Sequence, residues 1–117
     1  MIADDHRLFA EALAAILATD CRFEVVGKAN NGEQAVELAV AEKPDVVLMD
    51  IAMPRLDGVE AARRIRRKRR SATVLMLTGS SSAADVARAR DAGAAGYVTK
   101  DRIASELIES IVEVTGR

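Results

Sequence analysis

Two kinds of hydrophobic pattern alternate along the chain. Short, mostly apolar runs appear at 1–3, 23–26, 46–49, 74–77 and 96–98, and longer segments with helical spacing separate them. Leu8, Phe9, Ala12, Leu13, Ile16 and Leu17 form one apolar stripe at helical intervals, and Ile103, Leu107, Ile108, Ile111 and Val112 form another near the C-terminus. Segments 32–42, 58–69 and 83–92 are less regular but rich in Ala, Glu and Arg, which favour helix. Local chemistry sharpens the boundaries. Asn31 with Gln34 and Ser82 with Asp85 are spaced like helix caps and their reciprocal partners. Gly93 stands where a helix end needs a left-handed residue, and Pro44 stops the second helix. The pattern predicts β1 1–4, α1 6–18, β2 23–27, α2 32–42, β3 45–50, α3 58–69, β4 73–78, α4 83–92, β5 95–98 and α5 103–115.

Strands alternating with helices imply a parallel sheet covered on both faces, because right-handed crossovers place the helices there. Val46-Val47-Leu48-Met49 and Val74-Leu75-Met76-Leu77 are apolar throughout, as central parallel strands buried on both sides require. Met49 and Met76 read as core filling in these strands, and Met53 as packing in the loop that follows β3.

In such a sheet, ligands bind beyond the carboxyl ends of the strands. Those ends carry Asp4 and Asp5 after β1, Asp50 at the end of β3, Thr78 at the end of β4 and Lys100 just past β5. Three carboxylates in one pocket repel, each raising the cost of ionising the next. A hard divalent cation relieves that repulsion, and oxygen ligands with room for water suit Mg²⁺ or Mn²⁺. Lys100 adds a positive charge that can pair with a phosphoryl oxygen. A cation, a lysine and a hydroxyl around a carboxylate nucleophile suit phosphoryl transfer, where catalysis is mostly positioning and charge neutralisation.

The segment Asp50-Ile-Ala-Met-Pro-Arg-Leu-Asp-Gly58 resembles the D-x-x-M-P-x-x-D-G stretch of response-regulator receiver domains. Ile2-Ala3-Asp4-Asp5-His6-Arg7-Leu8-Phe9 and Gly93-Ala-Ala-Gly-Tyr-Val-Thr-Lys-Asp101 resemble the NarL/LuxR-type subfamily. The resemblance covers essentially the whole chain. It implies a flavodoxin-like (βα)5 three-layer α/β sandwich with a parallel five-stranded sheet in the order 2-1-3-4-5. It makes Asp50 the phosphoacceptor, supplied by the phosphohistidine of a sensor histidine kinase. Asp5 becomes a direct metal ligand, with Asp50 and the backbone carbonyl of Ala52, while Asp4 acts on the metal largely through water. Lys100 would hold the phosphoryl group, Thr78 would donate its hydroxyl to it, and Tyr97 would change rotamer with it. A small residue at Gly79 would keep the acceptor accessible. The implied role is a phosphorylation-dependent switch read out on the α4–β5–α5 surface, controlling transcription, with a homodimer on activation as a further partner. Such a domain assists its own phosphorylation and dephosphorylation and is not otherwise an enzyme.

Three departures from the family pattern stand out. Only Met1, Ile2 and Ala3 precede the acidic pair, so β1 is expected to be short. Asp101 follows Lys100 where many receivers have proline, losing that residue's access to a cis bond. Residues 1–117 are read as one receiver with no output domain, whereas this subfamily normally continues into a DNA-binding helix-turn-helix.

Composition narrows the alternatives. Seventeen basic and eighteen acidic residues leave a net charge of −1, which favours neither direct nucleic-acid binding nor a membrane surface. Phe9, Phe23 and Tyr97 are the only aromatics. The basic run Arg63–Arg70 therefore lacks interleaved rings for base stacking, and we read it as the solvated face and end of α3. A single cysteine, Cys21, excludes an internal disulfide and, with no long apolar run, suggests a soluble cytoplasmic protein. Cys21 has no strongly electropositive surroundings and reads as an inert thiol. His6, the only histidine, reads as a solvated loop residue rather than a ligand or base. A degenerate receiver acting as an interaction module would usually lack Asp50 or Lys100. A Mg²⁺-dependent phosphatase would need an added acid-base residue and a cap.

Overall fold

The computed structural model describes residues 1–53, 55–79 and 83–116, with Ala83 described by its backbone alone. Five parallel strands, β1 Ile2–Ala3, β2 Lys28–Ala29, β3 Val46–Asp50, β4 Thr73–Thr78 and β5 Gly96–Thr99, form one sheet in the order β2-β1-β3-β4-β5. Between and after them run α1 Arg7–Ala18, α2 Gly32–Glu42, α3 Gly58–Lys68, α4 Ala83–Asp91 and α5 Ile103–Thr115. A single 3-10 turn, Lys100–Arg102, joins β5 to α5 and has no counterpart in the sequence pattern.

The two-residue period of the central strands divides the core. Val47, Met49, Val74 and Met76 face one side, where Ala35 and Ala39 of α2, Ile65 of α3 and Ala89 of α4 cover them. Leu48, Leu75 and Leu77 face the other, against Leu13 and Leu17 of α1 and Leu107 and Ile111 of α5. Each fully buried Leu or Ile contributes about 1.5–3 kcal/mol, so this double-sided burial is what fixes the register of β3 and β4.

Two expectations need correction. The second strand does not span 23–27. Phe23 and Val25 are half-buried against the α1–α5 side of the core, but the ladder forms where β1 offers partners: Ile2 N–H donates to Gly27 O and Asp4 N–H to Ala29 O, each at 3.0 Å. Hydrophobic periodicity marks the packed segment, whereas the strand follows the hydrogen bonds, further along the chain. The buried face of α1 is also rotated from the expected stripe. Ala10, Leu13 and Leu17 are buried while Leu8 is 82% exposed and Ala12 is exposed.

The helix ends behave largely as their chemistry requires. Asn31 Oδ1 accepts from Gln34 N–H at 2.8 Å, and Gln34 Oε1 reaches back to Asn30 N–H, also at 2.8 Å. Gly93 adopts φ +95°, the left-handed position that a residue with a Cβ disfavours. Lys43 takes the left-handed position that ends α2, just ahead of buried Pro44. The proposed Ser82 cap lies outside the described residues.

Candidate functional site at the carboxyl edge of the sheet

Asp4 follows β1, Asp50 is the last residue of β3, and Lys100 opens the turn after β5. Asp4 and Asp50 are 2% and 3% exposed, an unusual placement for carboxylates unless they are paired or hold a cation. Lys100 Nζ stands 3.2 Å from Asp4 Oδ2 and 3.2 Å from Asp50 Oδ2. It donates a hydrogen bond to Asp50. To Asp4 it is within ion-pairing distance but off hydrogen-bond geometry, so the buried Asp4 Oδ2 has no hydrogen-bond donor.

The other oxygens are held by backbone. Asp4 Oδ1 accepts from His6 N–H at 2.8 Å, and Asp50 Oδ1 from Ala52 N–H at 3.3 Å. Burial, and secondly the charge of Asp4, raises the Asp50 pKa above the ordinary carboxylate value, while Lys100 and the Ala52 N–H act in the opposite direction. One ammonium between two buried carboxylates leaves the cluster short of positive charge.

Ligand atoms of Asp4, Asp5, His6 and Asp50 all lie within 4.8 Å of one another. A small divalent cation fits this set: the donors are mainly oxygens, the pocket is short of positive charge, and one buried carboxylate oxygen lacks a donor. His6 is exposed as expected, yet its Nδ1 lies 3.3 Å from both Asp4 Oδ1 and Asp5 Oδ1, so it borders the cluster rather than standing free in a loop.

Thr78 is buried at the end of β4, paired in register with Thr99, one step beyond the Asp50–Leu77 pair. Tyr97 pairs with Met76 and is 43% exposed. It lines a groove formed by α4, β5 and α5, with Val86, Ala89, Arg90 and Glu113.

Two contributors escape the sequence reading. Gly58, the last residue of the motif after Asp50, lies so close to the backbone of Asp50 that a Cβ there would sit 1.8 Å from Asp50 O. Phe9, which the sequence marks only as a stripe residue, has its ring centre 4.7 Å from Lys100 Nζ.

The family model of the response regulator receiver domain matches residues 1–112. The chain belongs to the response-regulator receiver family. This receiver is 46% identical over 111 residues to the transcriptional regulatory protein PdtaR of Mycobacterium tuberculosis, an overlap covering 95% of this chain and 53% of PdtaR. It thus spans about half the length of the curated relatives it matches. The signal receiver domain of NarL from Mycobacterium tuberculosis superposes with a TM-score of 0.92 at 35% identity, covering 99% of this chain and 94% of that one. A chain of the CheX–CheY–BeF3–Mg²⁺ complex from Borrelia burgdorferi gives 0.91 at 25% identity, covering 97% and 86%. The resemblance to NarL/LuxR-type regulators stands, and so do the fold and strand order it implied. No helix among the described residues of the receiver is long and apolar enough to cross a membrane.

Proposed function

We propose that Asp50 accepts a phosphoryl group from the phosphohistidine of a sensor kinase, and that the acyl phosphate so formed sets a signalling switch. The observation that carries this reading is Lys100 Nζ at 3.2 Å from both buried carboxylates, with Asp4 Oδ2 still lacking a hydrogen-bond donor. Such a pocket is built for more positive charge and for an anion that brings its own oxygens. That a chain of similar fold was solved in a complex with BeF3 and Mg²⁺ supports the same chemistry.

In the proposed step an Asp50 carboxylate oxygen attacks phosphorus as the P–N bond breaks. The imidazole nitrogen leaves with the bonding pair and takes a proton from solvent. Lys100 follows the incoming phosphoryl oxygens, and the Thr78 hydroxyl donates to one of them. Asp5, Asp50 and the Ala52 carbonyl would hold Mg²⁺ or Mn²⁺, with Asp4 acting through water. When bound, that ion supplies neutralisation of the carboxylates and of charge on the transferring group.

Readout follows from the groove beside Tyr97. As Thr78 is drawn toward the phosphoryl group, Tyr97 turns inward and the α4–β5–α5 surface changes. A partner or a second copy of the domain then reads that surface, and transcription is controlled through a DNA-binding unit that residues 1–117 do not supply. Acetyl phosphate with Mg²⁺ tests the reading. One phosphoryl group should accumulate per chain, whereas a phosphorylation-independent interaction module would gain none.

A further inference from the structure

We infer that Phe9 is a positioning residue for Lys100: the ring face holds the ammonium between the two carboxylates, ready for the phosphoryl group. The inference rests on the phosphoacceptor reading. Lys100 Nζ is 4.7 Å from the centre of the Phe9 ring and 3.2 Å from both Asp4 and Asp50. Phe9 is half-buried and packs against the core shared by α1 and α5, so the ring is a fixed wall. Lys100 is the opposite, a point charge on a flexible four-carbon stem. An ammonium has three N–H donors. One goes to Asp50 Oδ2, Asp4 draws the ammonium by charge without accepting a hydrogen bond, and the negative potential of the aromatic face suits a remaining N–H.

A neutral ring does something that another carboxylate could not. It attracts the cation without adding negative charge to a pocket already crowded with it, and without capturing the ammonium in a new ion pair. Lys100 is thereby held at the site yet free to move onto the phosphoryl oxygens. A leucine would fill similar core space but offers no such potential, and the stem would sample other rotamers.

The test replaces Phe9 by Leu, by Tyr and by phenylalanines carrying one, two and three ring fluorines, which withdraw the π-face potential at nearly constant shape. Two readouts are taken. The first is the NMR shift of the Lys100 ε-methylene in the unphosphorylated protein, displaced upfield by the ring while the ammonium lies on it. The second is the rate of phosphoryl accumulation from acetyl phosphate and Mg²⁺. Phe9→Leu should lose the upfield shift and slow phosphorylation by about tenfold, as expected for loss of a partly desolvated cation–π contact. Phe9→Tyr should stay within about twofold of the wild type. Each added fluorine should reduce both readouts in steps. A fluorinated series that leaves both unchanged overturns the inference, and so does an ε-methylene at its ordinary shift in the wild type. If Phe9→Leu fails to fold, the near-isosteric fluorinated series still decides. A wild type that takes up no phosphoryl group would instead refute the phosphoacceptor reading, and the methylene shifts alone would then judge the role of Phe9.

Discussion

Gly58 and Asp50 touch through their backbones. A Cβ at Gly58 would lie 1.8 Å from the Asp50 carbonyl oxygen and 2.9 Å from Ile51 Cα, while Gly58 N–H donates to Ile51 O at 2.8 Å. The start of α3 is thus pressed onto the strand end that carries Asp50, and only glycine allows that approach. Because backbone rather than a flexible side chain opposes the added carbon, Gly58→Ala should cost about 3 kcal/mol, the upper range for overpacking. Among the described residues, none apart from its chain neighbours comes within 4 Å of where a Cβ at Gly79 would stand, so Gly79→Ala should stay within roughly 0.5 kcal/mol of the wild type. Urea denaturation of the two variants makes the comparison.

The charge on Asp50 should cost stability. Its pKa is raised in the folded protein, chiefly by burial and then by Asp4. The folded state therefore binds the proton more tightly than the unfolded chain, and stability falls as pH rises from the ordinary carboxylate range through the raised value. Asp50→Asn removes that dependence. At neutral pH it should melt higher than the wild type, with the difference shrinking as pH falls into the ordinary carboxylate range. A variant that melts lower at neutral pH would contradict this account of the site.

A divalent cation should relieve the same repulsion. Mg²⁺ at about ten times its Kd adds roughly 1.4 kcal/mol to the folded state by mass action. Melting curves with and without Mg²⁺ should show the shift in the wild type and lose it in Asp5→Ala. Equal shifts in both proteins would place the ion elsewhere.

Much of the fold and site is legible in the sequence, for physical reasons. Val47, Leu48 and Met49 are buried on alternating faces, as an apolar run in a central parallel strand requires. Once the strands are placed, their polar ends have to meet at one edge, and Asp4, Asp50 and Lys100 do. Contacts made through backbone or ring faces are not legible. Nothing in the spacing of Gly58 tells which carbonyl it approaches, and Phe9 in an apolar stripe looks like any core residue. The basic run is a solvated face only in part. Arg67, Lys68 and Arg70 are exposed, but Arg66 donates through Nη1 to the carbonyls of Arg70 and Ala72, closing the α3–β4 turn. A side chain that folds back onto its own loop leaves no periodic signal.

The switch itself should appear on α4. Val86 is half-buried and only Ala89 of that helix is a buried apolar side chain among its described residues, so few methylenes oppose its movement. Arg88 ties it to Asp57 by an exposed pair at 3.3 Å, which adds little. By contrast α1 buries Leu13 and Leu17, and α5 buries Ile103, Leu107 and Ile111. Amide hydrogen exchange with a phosphoryl mimic should change most in α4 and β5. Changes confined to α1 or α2 would contradict the proposed route.

In the proposed switch, Asp50 carries the phosphoryl group. Treating the protein with acetyl phosphate and Mg²⁺, trapping the acyl phosphate with borohydride and mapping the modified residue by peptide mass spectrometry tests it directly. Modification should appear at Asp50 alone in the wild type and be absent from Asp50→Asn. A phosphoryl group mapped to another residue, or retained by Asp50→Asn, would contradict it.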